Sequence, residues 1–248
     1  MFGYYFSREY IWFLAAIAVL AIISAAASAK VKKAFRQYDT VLTRASLTGA
    51  EVALRLLRAE GVTDIKIGKV SGELSDHYNP KESIVNLSES TYDSKSISAA
   101  AVCAHEIGHV MQNKKGFFLY NVRTALVPVV NIGSRLAFPL VLAGLLLDTF
   151  ARLSDPNTGF YIAMIGVILY GSSLLFSLVT LPVELDASRR AVRMLLENRI
   201  IAEEEAPAAR KVLSAAAMTY LVSTLASVIY FLRFLFLVLR LFGRRNTR

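Results

Sequence analysis

His105 and His109 stand four residues apart in Ala104-His105-Glu106-Ile107-Gly108-His109. On a helix, positions i and i+4 share a face, so the two imidazoles can aim at one point. That arrangement suits a tetrahedral zinc site, and Glu106 beside the pair can take a proton from an activated water. The chain holds three histidines in 248 residues, and two of them fall in this H-E-x-x-H motif. Residues 100–104 precede it without a charge, and Ile107, Gly108, Val110 and Met111 surround the second histidine. Ionisable groups in so apolar a helix need compensation. A metal supplies it.

Two histidines do not complete a catalytic zinc site, which takes three protein ligands and leaves one position open. Cys103, the single cysteine, excludes an intrachain disulfide. Two residues before His105 on a helix, it faces away from the pair and reads as a small packing residue. His77 is the remaining histidine. The other candidates are carboxylates, and residues 181–190, with Glu184 and Asp186, are the best place to find one.

The elements that must position these groups are mostly membrane-length. The chain is 55% hydrophobic with a formal net charge of +9. Its apolar residues gather in blocks long enough to span a bilayer, which takes about 20 residues. The basic residues cluster beside those blocks: Lys30, Lys32, Lys33 and Arg36; Arg189, Arg190 and Arg193; Arg240, Arg244 and Arg245. Anionic lipid headgroups and the positive-inside rule favour that distribution. Nothing in it favours nucleic acid as a partner.

Residues 1–29 read as an N-terminal transmembrane anchor. Ala27-Ser28-Ala29 resembles a signal-peptidase site, but the apolar run is long and the basic residues follow it, which favours a retained span with the next segment inside. Residues 30–122 form the sizeable polar region. Thr48 to Glu51 is a capping box, Val52, Leu56 and Leu57 give a helical face, and Gly61 ends that helix. Residues 65–67 and 83–87 alternate like short strands, with a turn around His77. The motif helix follows over 97–112.

Residues 123–248 bring the other membrane helices. Pro128, Arg135 and Pro139 interrupt one apolar tract, so its span is placed near 133–150 and residues 119–131 at the inner interface. A second span covers 160–181, and residues 182–211 form a cytoplasmic segment. Glu203-Glu204-Glu205 reads as a solvated helix start, and residues 212–239 make the last block. Two spans separate His109 from Glu184, so both return to one side of the membrane.

Several stretches carry a resemblance: Leu-Thr-Gly-Ala-Glu-Val at 47–52, Asp-His-Tyr-Asn-Pro at 76–80, Leu-Ser-Glu at 87–89, Val-Pro-Val-Val-Asn at 127–131, Leu-Pro-Val-Glu at 181–184 and Ala-Ser-Arg-Arg-Ala at 187–191. With the H-E-x-x-H motif, they resemble the YugP-like neutral zinc metallopeptidases of bacterial membranes. More distantly the chain is similar to HtpX-type membrane zinc proteases. There a Glu opening a Glu-x-x-Ala-Asp motif completes the zinc site, which maps onto Glu184. Ser188 stands where those relatives carry Asp. The resemblance implies peptide hydrolysis, with His105, His109 and Glu184 holding one Zn²⁺ per chain and Glu106 as the base.

The expected fold is a mainly α membrane protein, about four transmembrane helices with a small α+β zincin-like catalytic region. The expected partners are a peptide or membrane-protein substrate and the lipid bilayer, with the active site on the cytoplasmic side of the bacterial plasma membrane. His77, or Tyr78 beside it, is an expected donor to the tetrahedral oxyanion. Asp186 is the alternative third ligand, and the strand at 83–87 the expected edge for an extended peptide. A catalytically silent zinc-binding membrane scaffold is the competing class.

Overall fold

The computed structural model describes residues 8–150 and 157–243. In chain order its elements are α1 (Arg8–Asp39), α2 (Gly49–Ala59), β1 (Lys66–Val70), β2 (His77–Asn79), β3 (Ile84–Ser88), α3 (Glu89–Tyr92), α4 (Ile97–Lys114), α5 (Phe118–Phe150), α6 (Thr158–Glu197), a 3₁₀ turn (Glu203–Glu205) and α7 (Ala206–Gly243). Helices α1, α5, α6 and α7 contain stretches long and apolar enough to cross a membrane. Ile22, Ile132, Ile168 and Phe236, one on each, are all at least 60% exposed. Apolar side chains turned outward on membrane-length helices are what a lipid solvent requires. The chain is a mainly α membrane protein.

The molecule divides into two compact units. One takes the chain up to Ile23, Val122–Leu181 and Leu221 onward; the other takes Ser24–Asn121 and Pro182–Tyr220. Within the first, α5 and α6 pack through small residues. A Cβ added to Gly166 would sit 2.6 Å from the Ala137 carbonyl oxygen, and one on Gly133 would sit 2.9 Å from that of Leu169. Gly144 meets Gly159 in the same way. The matched positions descend on α6 as they ascend on α5, so the two helices are antiparallel. Contacts this close, without side chains between them, are a common means of helix association in lipid. Pro128 and Pro139 both lie inside α5. Residues 119–131, expected at the inner interface, and 133–150, expected to span, thus lie on one continuous helix. Each proline removes one backbone donor, and the remaining bonds of a 33-residue helix carry it through.

The second unit holds the soluble-type core. The α2 capping box forms as expected: the Glu51 amide donates to Thr48 Oγ1, and the Glu51 side chain accepts from the Thr48 amide. Gly61, at φ +70°, turns the chain out of α2, with its own amide and that of Val62 donating to Arg58 and Leu57 carbonyls. Left-handed φ favours glycine there. Val52 and Leu56 of α2, Val85 and Leu87 of β3, Ile107 and Val110 of α4, and Leu195 of α6 are fully buried in one cluster.

The sheet corrects two expectations. Its order is β1-β3-β2, with β1 parallel and β2 antiparallel to β3. β3 is thus the central strand, both its edges are paired, and it has no free edge for an extended peptide. β1 and β2 are the outer strands. His77 does not lie in a turn: it opens β2, opposite Asn86. The Asp76 carboxylate accepts from the amide and hydroxyl of Ser88 and fixes the approach of that strand to β3.

Candidate metal centre

The motif helix α4 starts at Ser96, whose side chain accepts from the Ala99 amide. Its face toward the core carries Ala100, Ala104, Ile107 and Val110, and this packing fixes the direction of the remaining face. That face carries His105 and His109, whose rings lie 4.7 Å apart and nearly perpendicular. Opposite them runs the second half of α6, which continues past Pro182 without ending. Glu184 therefore sits on a helix, at 1% exposure. Gly108 makes the approach possible. A Cβ there would lie 2.7 Å from the Ala187 carbonyl oxygen.

His105 Nε2 lies 3.1 Å from Glu184 Oε2, and His109 Nε2 lies 3.6 Å from the same oxygen. The ligand atoms of these three residues all fall within 4.8 Å of one another. The outer nitrogens are engaged too. His105 Nδ1 is 3.2 Å from Ser188 Oγ, and His109 Nδ1 is 2.9 Å from Gln112 Oε1. Gln112 Nε2 donates to the Val183 carbonyl at 2.8 Å and to Asp186 Oδ2 at 2.9 Å. With its amide nitrogen so committed, only Oε1 faces His109, and it accepts the Nδ1 proton. A ring protonated at Nδ1 turns a bare Nε2 inward.

Two imidazole nitrogens and a carboxylate oxygen thus converge in a largely buried place, a donor set that a cation between them would satisfy. Zinc bonds of about 2.0–2.1 Å at tetrahedral angles put neighbouring ligand atoms roughly 3.3 Å apart. The observed 3.1 Å and 3.6 Å bracket that spacing. The donor set suits zinc.

Glu106 is buried, at 8% exposure, and among the described residues its carboxylate makes no hydrogen bond or ion pair. Asp186 is not drawn into the cluster. Arg190 Nε holds it at 2.6 Å and Gln112 binds the same oxygen. Arg190, expected as a headgroup anchor, is thus tied to the protein and also stacks 5.7 Å from the Phe117 ring. His77 lies outside the cluster. Its Nδ1 donates to the Ser75 carbonyl at 2.9 Å, and Asn86 donates to its Nε2 at 3.1 Å, which leaves the neutral ring no spare N–H. The neighbouring Tyr78 hydroxyl accepts from Asn113 Nδ2 at 2.9 Å and keeps its own proton to give.

Gln112 was not singled out from the sequence. The signal was present, since it lies three residues beyond His109 and on the same helix face. Ser188 places its hydroxyl beside His105 Nδ1.

A helical membrane protein with a buried two-histidine, one-carboxylate cluster is the class that fold and site define. The chain belongs to the family described as "Putative neutral zinc metallopeptidase", whose pattern matches residues 12–239. It is 38% identical over 210 residues to the "Putative membrane protease YugP" of Bacillus subtilis (strain 168), covering 85% of this chain and 89% of that one. No solved structure matches the chain.

Proposed function

We propose that this chain is a zinc-dependent endopeptidase of the bacterial cytoplasmic membrane, holding one Zn²⁺ between His105 Nε2, His109 Nε2 and the Glu184 carboxylate. The observation that carries this reading is the convergence of those three ligand atoms beside Glu106. Family membership supports peptide hydrolysis over other zinc chemistry. Zinc bound there lowers the pKa of water and polarises a carbonyl.

The chain's own residues do the rest. Glu106 takes the proton of the attacking water and passes it to the leaving amine, a role suited to a carboxylate committed to no other side chain. Gln112 and Ser188 hold the two imidazoles with Nε2 inward. Tyr78 is the better placed oxyanion donor, because its hydroxyl proton is free and Asn113 ties it one turn from His109. β2 and β1 are the strands with an edge left for an extended substrate. The basic clusters flanking the apolar blocks support a site on the cytoplasmic side.

Zinc content per chain is the test, measured in detergent-solubilised wild type and Glu184→Ala side by side. About one zinc in wild type and a clear loss in the variant is expected. Glu106→Gln then keeps its zinc and loses roughly 10²–10⁴-fold in peptide cleavage. Equal zinc in wild type and Glu184→Ala moves the third ligand to Asp186 or His77. A folded wild type that takes up no zinc, or full cellular function in Glu106→Gln, establishes a silent scaffold instead.

A further inference from the structure

Behind the metal centre, between the second half of α6 and the first turns of α7, lies a groove of about 460 Å³. Its floor is apolar, built by Leu185, Val192 and Leu213, and its rim carries Arg189, Arg193 and Arg210. All three arginines are exposed. Arg193 and Arg210 make no hydrogen bond or ion pair among the described residues. Arg189 feels Asp186 only at a distance, since Arg190 and Gln112 already occupy that carboxylate. Three uncommitted guanidinium groups around an apolar floor complement a ligand with an anionic head and an apolar body.

We propose that this groove binds an anionic membrane phospholipid, the phosphate held by Arg189, Arg193 and Arg210 and the first acyl carbons laid on Leu185, Val192 and Leu213. Guanidinium groups match phosphate oxygens in pairs. The volume falls within the usual range of roughly 300–1,000 Å³ for small-molecule sites. The source is argued from chain order. Arg189 and Arg193 follow the apolar stretch of α6 that closes at Leu181 by about two and about three helical turns, and Arg210 stands just before the apolar block of α7 that opens at Val212. Arginines that flank membrane-length apolar blocks are where anionic headgroups are met.

The groove also touches the metal centre. Ser188, which lines it, is the residue that holds His105 Nδ1 at 3.2 Å. A lipid seated there lies against the far side of the residue that orients a ligand histidine. The lipid site itself does not depend on the peptidase reading.

The test is native mass spectrometry of the full chain released from detergent. It is titrated in parallel with phosphatidylglycerol, phosphatidylcholine, inorganic phosphate and a short peptide with a free terminal carboxylate. Each surface arginine contributes about fivefold in affinity for an anionic headgroup. Phosphatidylglycerol is therefore expected to bind at least about tenfold tighter than phosphatidylcholine. That preference vanishes in R189Q/R193Q/R210Q, survives in part in the R189K/R193K/R210K variant, and is untouched by K81Q. Zinc content and helix content of each variant show whether the fold is kept. Equal binding of the two lipids overturns the proposal, as does a preference that survives in the folded glutamine variant. Tighter binding of the peptide than of phosphatidylglycerol assigns the groove to substrate and overturns it. Tight inorganic phosphate that the lipid does not displace shows an anion site without a lipid, which also overturns it.

Discussion

Gln112 joins His109 to the helix that carries Glu184. Its Oε1 lies 2.9 Å from His109 Nδ1, while its Nε2 reaches the Val183 carbonyl, one residue before Glu184. One buried amide therefore registers α4 against α6 and selects the histidine tautomer at once. Gln112→Ala is expected to lower zinc affinity about 10–100-fold, the usual cost of losing a hydrogen bond to a ligand histidine. Competition with a chelator measures it. Asn113→Ala, which breaks only the link to Tyr78, should leave zinc affinity unchanged. Equal losses in both would show that Gln112 acts merely by packing.

Gly108 is where the helix of His105 and His109 touches the helix of Glu184. A methyl group there meets the Ala187 backbone at 2.7 Å, so neither helix can yield by rotating a side chain. Gly108→Ala should destabilise the fold by about 1–3 kcal/mol through overpacking, and it should also weaken zinc by spreading His105 and His109 from Glu184. Thermal unfolding and zinc titration are the readouts. A variant with wild-type values in both would mean that α4 and α6 are held further apart.

Cys103 is fully buried, and its thiol donates to the Gly49 carbonyl at 3.1 Å. Burial pushes its pKa well above the usual thiol value, and the charges of Asp76 and Glu106 add to the rise. Only the thiolate attacks alkylating agents. The native chain should resist iodoacetamide at pH 8 and label completely once denatured. Rapid labelling of the native protein would contradict the packing of α4 against α2.

The cap of α2 has a pH signature. Glu51 accepts the Thr48 amide at 2.8 Å, which, helped by the Thr48 hydroxyl, lowers its carboxyl pKa from the ordinary 4.5. A carboxyl depressed in the folded state stabilises above its unfolded value and loses that contribution as pH falls through the folded one. Wild type should therefore lose thermal stability relative to Glu51→Gln as pH drops below 4.5. Glutamine can keep the cap without titrating. Parallel melting curves across that range would remove Glu51 from the stability of α2.

Local chemistry was legible along the chain. The H-E-x-x-H spacing put two imidazoles on one helix face, the capping box marked the start of α2, and Gly61 marked its end, because each depends on residues within about one helical turn. Apolar block length announced the membrane helices for the same reason. What depends on contacts between distant segments was decided by the tertiary structure. The strand at 83–87 reads alike whether central or outer, and only the pairing of β1 and β2 on either side of it removed its edge. Glu184 and Asp186 are both carboxylates on one stretch of α6, two residues apart. On a helix that spacing turns them roughly 200° from each other, so packing against α4 at Gly108 set Glu184 toward the histidines and left Asp186 to Gln112 and Arg190.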